Sequence, residues 1–93
     1  MEAKVNVKKF QTSELEKLER HGDYCLKMNK YDEAFEQCER ALKIRQEICR
    51  IDPTDETNVS KTGQIYHQMG IIRRYQGKYP QAVEYLKECL SIQ

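Results

Sequence analysis

Residues 66–92 read YHQMGIIRRYQGKYPQAVEYLKECLSI, and they carry the strongest structural signal in the chain. The first part repeats apolar side chains at intervals of three and four, which places them on one face of an α-helix. Gly77 suits the left-handed position that follows a helix end. Pro80 comes shortly after it, and the first turn of a helix tolerates proline. The stretch therefore predicts two helices joined by a turn, the second bearing the apolar residues Ala82, Val83, Leu86, Cys89, Leu90 and Ile92.

The first part of the chain predicts a similar pair. A helix is expected to begin at Ser13, because Ser13 and Glu16 fit a capping box in which each side chain bonds a free backbone N–H. It should run to about Met28. Asn29 and Lys30 then form a turn, since asparagine also tolerates the left-handed conformation.

The second helix should have Asp32 as its N-cap. Pro53 ends this helix, because proline inside a helix removes one hydrogen bond and clashes with the preceding turn. The third helix is expected to begin within residues 57–59, where Thr57 and Asn58 are both suitable caps. The sequence thus predicts an all-α fold of four helices in two tandem antiparallel hairpins.

The two hairpins are copies of one another. A shift of 48 residues brings identical residues into register over both helices. Each copy is too small to bury its own apolar face, so the repeat indicates a solenoid, in which neighbouring hairpins cover each other. The matching pairs are Gly22 and Gly70, Lys30 and Lys78, Tyr31 and Tyr79, Ala34 and Ala82, Glu36 and Glu84, Leu42 and Leu90, and Ile44 and Ile92.

The residues of each copy resemble the framework of the tetratricopeptide repeat. The second copy matches most of that framework, with Tyr66, Met69, Gly70, Gly77, Tyr79, Ala82, Leu86, Cys89 and Leu90. The resemblance implies a short right-handed solenoid over residues 13–93. Copy one spans about 13–51, a loop about 52–57 and copy two about 58–93, while residues 1–12 form a poorly patterned lead-in.

The 48-residue spacing exceeds the family's usual repeat of about 34 residues. Either the second helix of copy one or the loop after it must therefore be longer than usual. Long repeats of this kind are similar to those of kinesin light chain and of the adaptors that orient mitotic spindles.

Composition narrows the class of function. Sixteen basic and fifteen acidic residues give a net charge of +1, without the basic excess typical of nucleic-acid binders. The chain has neither the apolar core of a signal peptide nor an apolar stretch of about 20 residues, so no membrane association is expected. Its four cysteines form no CxxC pair and are expected to be reduced, which favours a cytoplasmic location.

The chemistry of the side chains does not predict an enzyme. The pattern brings no nucleophile and base together, the glycines are dispersed, and no cofactor is expected. His21, Cys25 and Cys38 could supply three zinc ligands, but a structural zinc site takes four ligands and both cysteines fit apolar helix faces. The sequence therefore predicts no metal site.

The resemblance implies a non-catalytic scaffold or adaptor that binds a partner peptide or helix on its concave surface. That surface is lined by the first helix of each hairpin. A clamp in related proteins grips the acidic C-termini of chaperones with Lys, Asn and Arg; Glu19, Asp23 and Ile71 stand at those positions here, so such tails should not bind. The expected groove residues are Glu19, Asp23, Gln64, His67, Ile71, Arg74 and Tyr75.

Self-association is the alternative function. Two repeats are fewer than the roughly three that a solenoid needs, so the last helix should expose an apolar edge that joins copies into a homo-oligomer. The expected edge residues are Leu86, Leu90 and Ile92. The pattern also stops at Gln93 without a helix cap, which is expected of a fragment whose neighbours covered that edge.

Overall fold

Four α-helices follow one another in the computed structural model, which describes residues 2–92, with side chains from residue 10 onward. Helix α1 spans Glu2–Lys27, α2 Tyr31–Ile51, α3 Glu56–Tyr75 and α4 Tyr79–Ile92. The helix backbones pack in chain order, α1 against α2, α2 against α3 and α3 against α4. The prediction of an all-α fold built from two helical hairpins is confirmed for this part of the chain.

Helix α1 begins eleven residues earlier than the sequence predicted. It is continuous from Glu2, so Ser13 lies inside the helix and is not its N-cap. No glycine or proline stands between Glu2 and Gly22 to break the helix, and a serine inside a helix costs only a few tenths of a kcal/mol. A capping-box sequence therefore does not start a helix where the preceding residues can already form one.

Two other predicted caps are also wrong. Lys30 occupies the N-cap position of α2, which places Asp32 in the first turn, where its negative charge favours the helix N-terminus. The N-cap of α3 is Asp55, whose carboxylate accepts a hydrogen bond from the backbone N–H of Asn58 at 3.1 Å. Thr57 and Asn58 therefore lie inside α3.

The turns of the two hairpins have the same geometry. Asn29 and Gly77, 48 residues apart, both adopt left-handed conformations, with φ of 58° and 76°. The backbone N–H of Lys30 bonds the Cys25 carbonyl at 2.7 Å, and that of Lys78 bonds the Arg73 carbonyl at 2.8 Å. These are the long closing bonds of a Schellman motif, so the predicted turns are confirmed at both sites.

The 48-residue spacing comes from long helices and not from a long loop, since α3 with 20 residues is nearly as long as α2. Helix α2 has 21 residues, and residues 52–55 alone connect it to α3. Its buried residues recur along the whole length, from Ala34 to Ile48, so the extra turns continue to pack against neighbouring helices.

The core runs through the interfaces between successive helices. Phe35 of α2 joins the two hairpins: its ring meets Tyr85 of α4 edge-on at 5.7 Å, and the Arg73 guanidinium of α3 stacks over it at 3.5 Å. The buried apolar residues are Leu15, Cys25, Ala34, Phe35, Cys38, Ala41, Ile48, Ile65, Met69, Ile72, Ala82 and Cys89.

Candidate peptide-binding groove

A groove runs between α1 and α3, with α2 as its floor. Its volume is about 370 Å³, and one wall comes from α1 and the other from α3. The two walls are parallel in chain direction because each is the first helix of its hairpin. Residues lining the groove are Leu18, Glu19, Gly22, Asp23, Gln37, Cys38, Ala41, Lys61, Gln64, Ile65, His67 and Gln68.

Four of the seven predicted groove residues meet in this groove. They are Glu19 and Asp23 on the α1 wall and Gln64 and His67 on the α3 wall. All four side chains are exposed. They therefore present hydrogen-bonding groups to whatever enters between the two helices.

The other three predicted residues do not line the groove. Ile71 is half-buried, and Arg74 is exposed but outside the groove. Tyr75 instead stacks on Tyr31 of α2, with ring centroids 5.5 Å apart and planes nearly parallel. The groove ends before this aromatic pair.

Sequence reasoning missed Lys61 and Gln68 on the α3 wall. Both lie three or four residues from Gln64, so helical spacing alone would have placed them beside it. It also missed the floor residues Gln37, Cys38 and Ala41, because their positions depend on how α2 sits beneath the other two helices.

The two walls differ in charge. The α1 wall is acidic, while the α3 wall carries Lys61, His67 and two glutamines. The Glu19 carboxylate accepts a hydrogen bond from the Arg45 guanidinium at 3.3 Å, so its charge is partly compensated. The Asp23 carboxylate has no hydrogen bond or ion pair with the side chains of residues 10–92, which leaves it open to a ligand.

Buried polar groups hold the end of the groove together. Arg45 of α2 reaches Glu19 on α1 and also donates to the Asn58 side-chain oxygen on α3 at 3.1 Å. Asn58 returns a bond to the Arg45 backbone carbonyl at 3.0 Å. One guanidinium thus ties three helices, and its bond to Asn58 is buried, which makes that bond stronger than it would be in water.

The thiol in the groove floor is a poor nucleophile. Burial, with smaller effects from Asp23 and Glu39, raises the pKa of Cys38 from 9.0 to about 11. The thiol therefore stays protonated at neutral pH, and it donates a weak hydrogen bond to the Gln68 side-chain oxygen at 3.8 Å.

The three predicted edge residues of α4 have different environments. Leu86 and Ile92 are half-buried and face glycines of α3: Leu86 lies against Gly70 and Ile92 near Gly63. Leu90 is 72% exposed. Tyr79 and Val83 on the same helix are 63% and 48% exposed, so Leu90 and Val83 form the open aliphatic part of α4.

A set of possible metal ligands lies at the turn of the first hairpin, away from the groove floor. It consists of His21, Cys25 and Glu33. Cys38, the third residue of the zinc set that the sequence argued against, is not part of it.

Comparison with known protein families gives a match over most of the chain. The family described as tetratricopeptide repeat matches residues 13–93. No curated protein and no solved structure gives a significant match. None of the helices in residues 2–92 combines the length and the apolar character that crossing a membrane requires.

Proposed function

The chain belongs to the tetratricopeptide-repeat family, whose repeats generally mediate protein–protein interaction, and from that premise we propose that its groove binds an extended segment of a partner protein. The observation that carries this proposal is the groove itself. It brings exposed polar side chains from two helices together above the apolar side chains of Ala41 in the floor and Ile65 in the α3 wall. The role is that of a non-catalytic adaptor or scaffold, and its similarity to kinesin light chain stays a prediction.

The size of the groove favours a peptide over a folded domain. A volume of about 370 Å³ lies at the lower end of ligand pockets and accommodates a few side chains. Glutamines on the floor and wall supply both donors and acceptors, which suits the backbone of an extended segment. The partner would thus be held by its main chain and by a small number of inserted side chains.

The charges of the groove favour a partner that places a basic side chain on the α1 wall. Asp23 is the acidic group there without a charged partner among the described side chains, and a Lys or Arg of the ligand would supply one. A terminal carboxylate would meet Glu19 and Asp23 and be repelled. We therefore propose that acidic chaperone tails do not bind, and saturation by such a tail peptide at micromolar concentration would contradict this.

A peptide-display selection on the purified chain tests the proposal. We expect the selected peptides to share a basic residue and to lose more than about tenfold in affinity with Asp23→Lys, because attraction becomes repulsion. His67→Ala should also weaken binding. Arg74→Ala is the matched control, since Arg74 lies on the same helix outside the groove. Binding that survives Asp23→Lys and His67→Ala would remove the groove from the proposal.

A second function, self-association, is favoured by the exposed residues of α4. Under the 48-residue shift, Val83 and Leu90 correspond to Phe35 and Leu42 of α2, of which Phe35 is buried and Leu42 partly buried against the core. Helix α1 corresponds to α3 under the same shift, and the side chain of Tyr24 on α1 is 55% exposed. Helix α4 of one copy could therefore pack on α1 of a second copy as α2 packs on α3.

Light scattering across a wide concentration range tests this second function. Leu90→Glu should convert an oligomer to a monomer, because it places a charge in an apolar interface. Ile51→Glu is the control, an exposed apolar residue at the end of α2. A chain that is monomeric at every concentration would exclude self-association and leave the groove as the interaction surface.

A further inference from the structure

We propose that His21, Cys25 and Glu33 form a binding site for a divalent metal ion of the zinc class. The three residues lie at the turn of the first hairpin and supply an imidazole nitrogen, a thiol sulfur and a carboxylate oxygen. The side chains of His21 and Glu33 are exposed, whereas Cys25 is buried. The site thus lies just beneath the surface, with two of its three ligands open to solvent.

The fold brings the ligands together through two local features. His21 and Cys25 are four residues apart on α1, which places both on the same helix face. Glu33 lies in the first turn of α2. The bond from the Lys30 backbone N–H to the Cys25 carbonyl closes the intervening turn at 2.7 Å and fixes the start of α2 beside Cys25.

The distances suit metal coordination. The ligand atoms of all three side chains lie within 4.8 Å of one another, and the Cys25 Sγ is 3.7 Å from a Glu33 carboxylate oxygen. Zinc bonds of about 2.3 Å to sulfur and about 2.1 Å to oxygen at a tetrahedral angle would separate these two atoms by about 3.6 Å. The sulfur and oxygen therefore already have the required spacing.

The donor set favours zinc over magnesium or calcium. A thiolate and an imidazole bind zinc and other borderline-soft metals, whereas magnesium and calcium take oxygen ligands. Three protein ligands leave the fourth tetrahedral position for water. Binding replaces the thiol proton, which is released to solvent, so affinity should increase as the pH rises.

The second hairpin supports a special role for these residues. The 48-residue shift matches His21 with Met69, Cys25 with Arg73 and Glu33 with Gln81, and these three residues together cannot form such a site. Met69 is buried in the core, as the repeat framework requires, while His21 at the matching position is exposed. The ligand set is therefore a feature of the first hairpin and not of the fold.

A bound ion would cross-link α1 to the first turn of α2. Asp23, one of the two acidic groups of the groove, stands between His21 and Cys25 in the sequence of α1. Fixing this part of α1 would hold the acidic wall of the groove in one position. The ion would also stabilise the folded chain, because it binds the folded state more tightly than the unfolded state.

Titration of the metal-free chain with Co²⁺ tests the site. We expect one ion per chain, the ligand-field bands of tetrahedral Co²⁺, a thiolate-to-cobalt charge-transfer band, and loss of these bands when Zn²⁺ is added. His21→Ala and Glu33→Gln should each weaken binding by more than about tenfold. Cys25→Ser should abolish the charge-transfer band. Circular dichroism should show that the His21 and Glu33 variants stay folded, since both side chains are exposed.

Matched controls use residues of the same types elsewhere in the chain. His67→Ala, Cys49→Ser and Glu36→Gln replace exposed residues and should leave the titration unchanged. A chain with no charge-transfer band would overturn the proposal. So would a band that Cys49→Ser abolishes, or an affinity that His21→Ala and Glu33→Gln leave intact.

Discussion

Gly22 and Gly70 occupy matching positions in the two hairpins, but their surroundings differ. A Cβ atom added at Gly70 would lie 2.9 Å from Cγ of Leu86 and 3.2 Å from the backbone oxygen of Ala82. At Gly22 the nearest atom would be Cβ of Gln37, at an ordinary 3.8 Å. Helices α3 and α4 therefore approach more closely at their glycine than α1 and α2 do.

Replacing these glycines by alanine should have opposite effects on the free energy of unfolding. Gly70→Ala should lower it, because overpacking costs about 1–3 kcal/mol and exceeds the gain in helix propensity of about 1 kcal/mol. Gly22→Ala should raise it by up to about 1 kcal/mol. Urea denaturation followed by circular dichroism measures both. A stabilised Gly70→Ala variant would show that Leu86 moves away without cost.

The contacts of individual side chains were the feature of the structure that the sequence predicted least well. The pattern identified Gly70 as a framework position of the repeat. It did not predict that Arg73 would stack over Phe35 or that Tyr75 would stack on Tyr31. Both contacts join residues of different hairpins, so neither local spacing nor composition contains them.

Helix α2 has one arginine in a buried ion pair and another in an exposed ion pair, and the surroundings of the two pairs differ. The Arg45 side chain is 9% exposed and bonds Glu19 and Asn58. Arg40 bonds Glu36 at 3.0 Å, a shorter distance than the 3.3 Å between Arg45 and Glu19, but both side chains of that pair are more than half exposed. We therefore expect burial and the number of helices joined, more than the bond distance, to decide how much each ion pair contributes to the free energy of unfolding.

Arg45→Met should lower the free energy of unfolding by about 2 kcal/mol, since it leaves Asn58 without its buried donor. Methionine keeps most of the packing of the arginine stem. Arg40→Met is the matched control on the same helix and should change stability by less than about 0.5 kcal/mol, as is usual for exposed ion pairs. Thermal and urea denaturation of both variants check this. Equal losses of stability in the two variants would mean that the contact of Arg45 with three helices adds little to the free energy of unfolding.

Helices and turns were predictable because their signals are local. The turn at Gly77 follows from glycine itself, and that at Asn29 from the same left-handed preference. The first residues of the helices were harder to predict. Ser13 and Asp32 are good caps, yet the helices begin at Glu2 and Tyr31. Whether the long repeat contained a long helix or a long loop also depended on tertiary packing, which the sequence pattern did not specify.

At the scale of the whole molecule, the helices pack in series, and the two hairpins meet mainly where α2 and α3 lie together. This arrangement makes stability close to a sum of hairpin and interface contributions. The groove depends on it, because one wall belongs to each hairpin. Four groove residues could be predicted from the resemblance to the repeat family, whereas the floor of the groove and the position of Tyr75 outside it are set by how the hairpins meet.

Phe35 tests how far the two hairpins depend on each other. Phe35→Ala removes the ring that contacts Arg73 and Tyr85, so it should cost about 3–5 kcal/mol and weaken the joint between hairpins. Hydrogen exchange in increasing urea should then show α1 and α2 losing protection at a different concentration from α3 and α4. Leu15→Ala is the control, because Leu15 is buried on α1, which packs on α2. That variant should keep one transition at lower urea, as a small cooperative domain does. One shared transition in Phe35→Ala would mean that the remaining contacts between α2 and α3 suffice to couple the hairpins and hold the groove walls together.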